Sequence, residues 1–391
     1  MNTKFEFLGS PIKNIDHLAE ILDIDIRDIL FAIQLDDEAK YSSKTIAKKD
    51  GRERTVYNPK PIFRKIQKRI KNRIFTQISW PDFIYGSIPA DENSHDFIEC
   101  AQQHCLAQSV LKLDIEDFFD NISQDLVESI FKNFFRYSDD VSKILATLCC
   151  VDLKVPQGGI TSSYLASIAL HSLEENLFLR MKSKKLTYTR YVDDITISSK
   201  NRDFNFEAII NIVESLLNNI NLPLNKQKIE VNRFSSIPLT VHNIRIDFKY
   251  PRYDKSEVKN IRAAVHRLSE LAKKPNHRTH YYYRIDFNRC QGLVSKLKRV
   301  NHQSYIKLQN KLNKINPLPN DSDIKYIEKS IDQLIDFFPN QRGEGSYIYN
   351  KKFFKIQQRI GFLKSHPKKI YDSLAVQLNT KLQLYRIRNK I

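Results

Sequence analysis

The chain has 391 residues, and 63 Lys and Arg against 45 Asp and Glu leave a formal net charge of +18. With 41% hydrophobic and 28% charged residues, it is neither a low-hydrophobicity disordered chain nor a bundle of membrane helices, which need about 18 or more consecutive apolar residues each. The positive excess points to a polyanionic partner, nucleic acid first, because Lys and Arg gain affinity by displacing condensed counterions; the plainer alternative is a soluble basic surface.

In chain order, the opening MNTKFEFLGSPIKNIDHL lacks the apolar stretch of a secretory signal, so the chain is expected to stay in a reducing compartment. Residues 14–34 read as a small helical element, with Leu18, Ile21, Leu22, Ile26, Ile29 and Leu30 at helical spacing. Thr55-Val56-Tyr57 reads as a short strand ended by Pro59 and Pro61, and Ile62 to Phe75 as a strongly basic helix carrying Lys65, Lys68 and Arg69. That basic face is either a solvated surface or a track for a phosphate backbone. From residue 109 the pattern alternates: a strand over Val110–Ile115, a helix over Ser123–Phe135 opened by a Ser cap, and a helix over Ser162–Met181. Two short strands follow over Leu186–Ser198 with paired acids at their bend, then a helix over Phe206–Asn219 and a strand over Ile229–Val231. This is α+β sheet architecture. Beyond about residue 250 the chain turns helical: amphipathic helices at 258–272, 287–300 and 305–315, a linker at 316–320 with two prolines, and further helix at 324–335 and 350–388. The cysteines, Cys100, Cys105, Cys149, Cys150 and Cys290, are odd in number, and the absence of Cys-x-x-C argues against structural zinc.

Asp114 ends a strand and Asp193-Asp194 tips a hairpin. Two such elements side by side would bring the acids together, and clustered carboxylates repel unless a cation neutralises them. Hard oxygen donors without His or Cys select Mg²⁺, and two Mg²⁺ ions about 4 Å apart are the usual clamp for in-line attack at phosphorus. Alone, an Asp-Asp pair is ordinary turn chemistry. Val155-Pro156-Gln157-Gly158-Gly159-Ile160-Thr161-Ser162-Ser163 spends two of only nine glycines, which implies close approach of a backbone or ligand, or otherwise an ordinary loop and helix cap.

Taken together these segments resemble bacterial reverse transcriptases of the retron and defence-associated kind. Leu113-Asp114-Ile115-Glu116-Asp117-Phe118-Phe119 resembles the first catalytic-acid motif, Pro156-Gln157-Gly158 the template and nucleotide platform, and Tyr188-Thr189-Arg190-Tyr191-Val192-Asp193-Asp194 the second acidic motif. Leu224-Asn225-Lys226-Gln227-Lys228 resembles the lysine motif that follows, and Arg54-Thr55-Val56-Tyr57-Asn58-Pro59 the start of the fingers. The resemblance covers residues 50–232 and implies a right-hand polymerase: an N-terminal helical element (1–40), fingers (41–108), palm (109–248), helical thumb (249–316) and a helical C-terminal extension (317–391).

It further implies RNA-directed DNA synthesis in the bacterial cytoplasm, serving phage defence, on a dedicated structured noncoding RNA with dNTPs as substrates. An RNA–DNA heteroduplex would be held by backbone and shape. A separate effector protein and a homo-oligomer are compatible partners; a membrane is not implied. Two Mg²⁺ ions, with Mn²⁺ as a substitute, would be held by Asp114, Asp193 and the Ile115 carbonyl, supported by Asp194. Phe119 would stand under the sugar and exclude a 2′-hydroxyl. Gln157 and Gly158 would line nucleotide and template, and Lys228, with Lys226 as competitor, would sit near the triphosphate; Arg54 is either a further triphosphate contact or a surface arginine in a basic stretch. Lys65, Lys68, Arg69, His104, Arg190 and Tyr281 are the residues expected to touch nucleic acid, with packing as the plainer use of His104 and Tyr281.

Two departures stand out from the retron pattern. Cys100-Ala101-Gln102-Gln103-His104 stands where retron enzymes usually carry Asn-Ala-x-x-His, and Val241-His242-Asn243 where they carry Val-Thr-Gly, both in regions that engage their RNA. They leave open a retron enzyme proper or another defence-associated group. An untemplated or protein-primed DNA polymerase, and an RNA-binding scaffold without turnover, are the rival readings.

Overall fold

The computed structural model describes residues 2–47, 51, 53–89, 94–235, 238–318, 320–337, 345–362 and 376. The chain divides into two compact units, 1–252 and 253–391.

The first unit opens with β1 (Glu6–Phe7), α1 (Ile15–Leu22) and α2 (Ile26–Gln34). Side chains cap both helices: Asn14 Oδ1 accepts from His17 N and Asp25 Oδ1 from Arg27 N, each at 2.9 Å. Asp23, at φ 53°, ends α1, so the single element expected over 14–34 is two helices. Leu18, Leu22 and Ile29 are buried as their spacing requires, whereas Leu30 stays exposed. After α3 (Asp37–Lys40), β2 (Tyr41–Ala47) and β3 (Glu53–Pro59) pair antiparallel from Tyr41↔Pro59 to Ala47↔Glu53. The basic helix α4 (Pro61–Arg73) starts on a proline, whose missing N–H costs nothing in a first turn, and buries Phe63, Ile66, Gln67 and Ile70. β4 (Ile78–Ser79) pairs with β1, and β5 (Ile84–Tyr85) and α5 (Phe97–Gln103) follow.

β6 (Ser109–Asp114) leads directly into α6 (Phe118–Asn121). The helix expected over 123–135 begins as α7 (Gln124–Ser129), with Ser123 Oγ accepting from Leu126 N at 3.2 Å, and continues as a π-turn, Ile130–Phe134. Phe131 stacks on Phe75 at a centroid distance of 6.1 Å, and Phe135 lies 5.8 Å from the same ring. α8 (Asp139–Cys149) follows. The helix expected over 162–181 is broken into α9 (Ser162–Ile168) and α10 (His171–Ser183); at the break His171 Nδ1 lies 3.0 Å from Ile168 O, so a side chain takes up a helix-end carbonyl.

β7 (Thr187–Tyr191), β8 (Asp194–Ser199), α11 (Glu207–Asn218), β9 (Glu230–Arg233), β10 (Thr240–Val241) and β11 (Ile244–Arg245) complete the unit. The central sheet has order β5-β7-β8-β6-β9, with β5 and β7 parallel and the other pairs antiparallel. Leu111, Leu113, Ile195 and Ile197 of the sheet share one core with Leu165 and Ile168 of α9 and Ile209, Val213 and Leu217 of α11. Each such side chain, removed from water, contributes about 1.5–3 kcal/mol, which fixes the strand register and with it the strand ends.

The second unit contains α12 (Lys255–Ala272), α13 (Tyr281–Arg299) and α14 (Ser304–Lys314), packed through Val258, Ile261, Val265, Leu268, Val294, Leu297 and Leu312. α13 starts six residues before its expected beginning at 287, because Tyr283 is a core side chain whose hydroxyl donates to Ile315 O at 2.6 Å. α15 (Asp321–Phe337) and α16 (Gly345–Phe362) follow, with Ile327, Ile331, Phe353 and Ile356 buried. The remainder of the helix expected over 350–388 lies outside the described residues, save position 376. Among the described residues no helix is long and apolar enough to cross a membrane, and the five cysteines are free.

Candidate active site

Register brings the acids together. β6 pairs with β8 so that Asp114 faces Asp194, and β7 pairs with β8 so that Tyr191 faces Asp194 across a two-residue turn, Val192-Asp193. Ile115 N donates to Asp193 O at 3.3 Å, tying the turn to the end of β6. The chain after α11 is held beside this point by Asn225 N donating to Asp114 O at 2.8 Å. A 3₁₀ turn, Lys226–Lys228, then aims Lys228 Nζ at both Asp114 oxygens, 3.1 and 3.0 Å away. Lys226 turns instead to Glu214 at 2.8 Å, so of the two competing lysines only Lys228 reaches the acids.

Burial raises the Asp193 carboxyl above its ordinary range, and repulsion from Asp114 adds to it. Burial, then Asp193 and Asp114, push Asp194 up to about 6, against the pull of Lys228 and Lys112. The hydrogen bond that Lys228 donates to Asp114 in turn raises the lysine's pKa. This is a site short of positive charge with one lysine as counter-ion. Among the described residues no group of three or more His, Cys, Asp and Glu encloses a metal ion unaided.

β3 and the Gly-rich loop are joined directly. Tyr57 N donates to Gln157 O at 2.7 Å. Gly158, at φ +111°, lies so close that a β-carbon would come 2.3 Å from Tyr57 O, which is the close backbone approach the paired glycines implied. From below, buried Gln67 accepts from Ile160 N at 3.0 Å through Oε1 and donates to Leu148 O at 3.0 Å through Nε2. Phe119, half-buried on α6, packs edge-on against Phe118 at 6.0 Å. Arg54 is exposed on β3.

The sequence pattern described as Reverse transcriptase (RNA-dependent DNA polymerase) matches residues 46–269, more than half of the chain. The retron Ec48 reverse transcriptase of Escherichia coli is 38% identical over 352 residues, which span 88% of this chain and 86% of that one. The retron Se72 reverse transcriptase of Salmonella heidelberg is 33% identical over 330 residues, 83% of this chain and 85% of that one. The chain is a retron-type reverse transcriptase. It is therefore an RNA-directed DNA polymerase with the α+β right-hand fold of that family. Among solved structures, apo telomerase from Candida tropicalis aligns over 88% of this chain and 70% of its own, with a TM-score of 0.43 and 13% identity.

Two residues expected to touch nucleic acid do not reach the surface of this reverse transcriptase. Arg190 is fully buried and held by Glu174, with Nε 2.6 Å from Oε1 and Nη2 2.7 Å from Oε2. His104 is fully buried between Ser198 Oγ at 2.7 Å and Thr189 Oγ1 at 2.8 Å; burial drives its pKa down to about 3, so it is a neutral tie between α5, β7 and β8. Part of the basic face of α4 is engaged internally: Arg69 meets Asp23 at 2.7 Å and Lys65 lies 3.7 Å from Asp28, whereas Lys68 is exposed. In the second unit Tyr281 and Tyr282 are exposed, 63% and 78%, while Tyr283 is core.

Gln67 and Glu174 were missed by sequence reasoning. Their signal is a polar residue inside the apolar stripe of a helix: Gln67 beside Ile66 and Ile70, Glu174 with Leu177, Phe178 and Met181.

Proposed function

We propose that the enzyme copies a dedicated structured noncoding RNA into DNA by two-metal nucleotidyl transfer, in the bacterial cytoplasm, as part of an antiviral defence with a separate effector protein. The observation that carries the chemistry is the convergence of Asp114, Asp193 and Asp194 at one end of the sheet, with Lys228 on Asp114. Two Mg²⁺ ions, when bound, supply the charge that activates the primer hydroxyl and neutralises the leaving pyrophosphate. Asp114, Asp193 and the Ile115 carbonyl would hold them and Asp194 would support them, an all-oxygen set that suits Mg²⁺ or Mn²⁺. Lys228, which lies on Asp114, would bind the triphosphate or protonate pyrophosphate. Phe119 lies under the sugar and selects dNTPs, and Gln157 and Gly158 line the base pair. Arg54, Lys68 and Tyr281 are exposed and serve the phosphates and the heteroduplex. Fingers at 41–108, palm at 109–248, thumb at 249–316 and an extension at 317–391 go with this reading.

The test is to purify the protein from its native host, sequence the co-purifying nucleic acid, and compare wild type with Asp193→Asn plus Asp194→Asn. One discrete noncoding RNA, with complementary DNA in the wild type only, is expected. Untemplated DNA, or RNA without DNA in either sample, overturns the proposal in favour of an untemplated polymerase or a silent scaffold. Loss of phage protection in the double variant tests the defence role.

A further inference from the structure

The turn that carries Asp193 is in a conformation its sequence resists. Val192 has φ 59°, in the left-handed region, where a β-branched residue is disfavoured most strongly and where a two-residue hairpin turn ordinarily uses glycine. Such a backbone persists only where its surroundings over-determine it. Here both of its polar groups are tied: Val192 N donates to Tyr85 O at 3.3 Å, and Val192 O accepts from Arg190 Nη1 at 2.9 Å.

Arg190 is itself immobilised. Besides its two-point contact with Glu174, Nη2 donates to Ser167 O at 2.6 Å, and Tyr188 OH donates to Glu174 Oε1 at 2.7 Å. The guanidinium thus links the end of α9 and the first turn of α10 to the hairpin tip, entirely out of water. A buried ion pair seldom outperforms apolar packing as a source of stability, so what this one supplies is geometry. A planar fork can face Glu174, Ser167 O and Val192 O at once; a lysine, with a single nitrogen, cannot.

We propose that Arg190 is a positioning residue, which holds Val192 in its left-handed turn and thereby fixes where Asp193 points, rather than a nucleic-acid contact. The inference rests on Asp193 being a catalytic acid. Losing the grip on Val192 O lets the turn relax toward an unstrained conformation and swings the next residue, which is Asp193.

The test uses the full chain on poly(rA) primed with oligo(dT), comparing wild type, Arg190→Lys, Glu174→Gln, and Arg190→Lys combined with Val192→Gly. Arg190→Lys is expected to lower kcat about 100-fold, the loss typical of a misplaced reacting group, with the KM for dTTP within about threefold of wild type. Without any metal or substrate, amide exchange in peptides covering 187–199 is expected to quicken about tenfold while that of 109–115 keeps its wild-type rate. Adding Val192→Gly should restore at least about tenfold of kcat, since glycine adopts positive φ without support. Should Arg190→Lys not fold, Glu174→Gln, outside the hairpin, is expected to give the same exchange signature with a smaller loss. Exchange that rises equally across the unit, or a double variant no better than the single one, reduces Arg190 to a stability element and overturns the proposal. If Asp193→Asn keeps full activity while the hairpin exchange responds as stated, the catalytic reading of Asp193 fails and the hold on the turn stands.

Discussion

Replacing Gly158 with alanine is the sharpest test of the contact between β3 and the Gly-rich loop. A β-carbon there lies 2.3 Å from Tyr57 O and 3.3 Å from both Tyr57 C and Val56 Cγ1, and φ is +111°. The nearest atom is backbone, so it cannot swing aside. Holding alanine in that part of backbone space costs roughly 1–3 kcal/mol. Relieving the clash by retreat of β3 removes the 2.7 Å bond from Tyr57 N to Gln157 O, about 1 kcal/mol more. The total, about 2–4 kcal/mol, is less than the stability of an ordinary domain, so the protein folds and the damage concentrates where Gln157 is set. Primer extension on an RNA template with one dNTP varied is expected to show KM raised about tenfold or more, with kcat reduced less. A thermal scan should show Tm lowered by about 4 °C or more. A Gly158→Ala enzyme with wild-type KM and Tm refutes the argument that this contact shapes the nucleotide site.

The other predictions concern the acids and their neighbours. Phe119→Ala is expected to admit NTPs, raising NTP incorporation relative to dNTP by about tenfold or more, measured by competition on one template; unchanged discrimination removes Phe119 from the sugar gate. Lys228→Ala should lower kcat by about 100-fold while Lys226→Ala leaves it within about twofold, because only Lys228 lies on Asp114; equal losses would contradict that distinction. Asp194 titrates at about 6 in the folded protein against an ordinary 3.8, so the native state binds its proton more tightly than the unfolded chain and stability falls as pH rises between those values. The side chain is half exposed, and solvent screening leaves about 1 kcal/mol of that loss. Without divalent ions, Asp194→Asn should therefore raise Tm by about 2–4 °C at pH 7 and leave it unchanged near pH 4, as followed by calorimetry; a destabilised variant at pH 7 contradicts the sign.

What could be read from the sequence followed from local rules. The strand at Val110–Ile115, the paired strands around Asp193-Asp194 and the amphipathic helices α11 and α12 carry periodicity that tertiary packing reinforces. The convergence of the acids was legible because a strand end and a hairpin tip, adjacent in one sheet, leave few other arrangements. Other features depend on contacts distant in sequence. The break between α9 and α10 turns on one histidine finding a carbonyl, and the early start of α13 on Tyr283 belonging to a core. The burial of Arg190 and His104 was not legible for a common reason: a charged or titratable residue beside a catalytic motif invites a functional contact, while the partners that bury it, Glu174, Ser198 and Thr189, are not marked as such in the sequence.

The two departures from the retron motifs are neighbours in space. Cys100 Sγ lies 3.5 Å from His242 Nε2 and 3.3 Å from Thr189 Oγ1. His242 in turn packs its ring 4.7 Å from that of Tyr191 and brings Nδ1 to 3.8 Å from Asp194 Oδ2. Its backbone, with φ 49° at His242 and 62° at Asn243, forms a turn with both central residues left-handed, which joins β10 and β11 and directs the imidazole toward the acidic hairpin. Burial keeps the imidazole pKa at about 4, so near neutral pH it is an uncharged ring that adds no positive charge to the acids. Cys100 and His242 therefore form one contact, in which a thiol from α5 packs against a ring that flanks Tyr191 and Asp194. A change at either position alone therefore removes the other's partner at the flank of Tyr191 and Asp194.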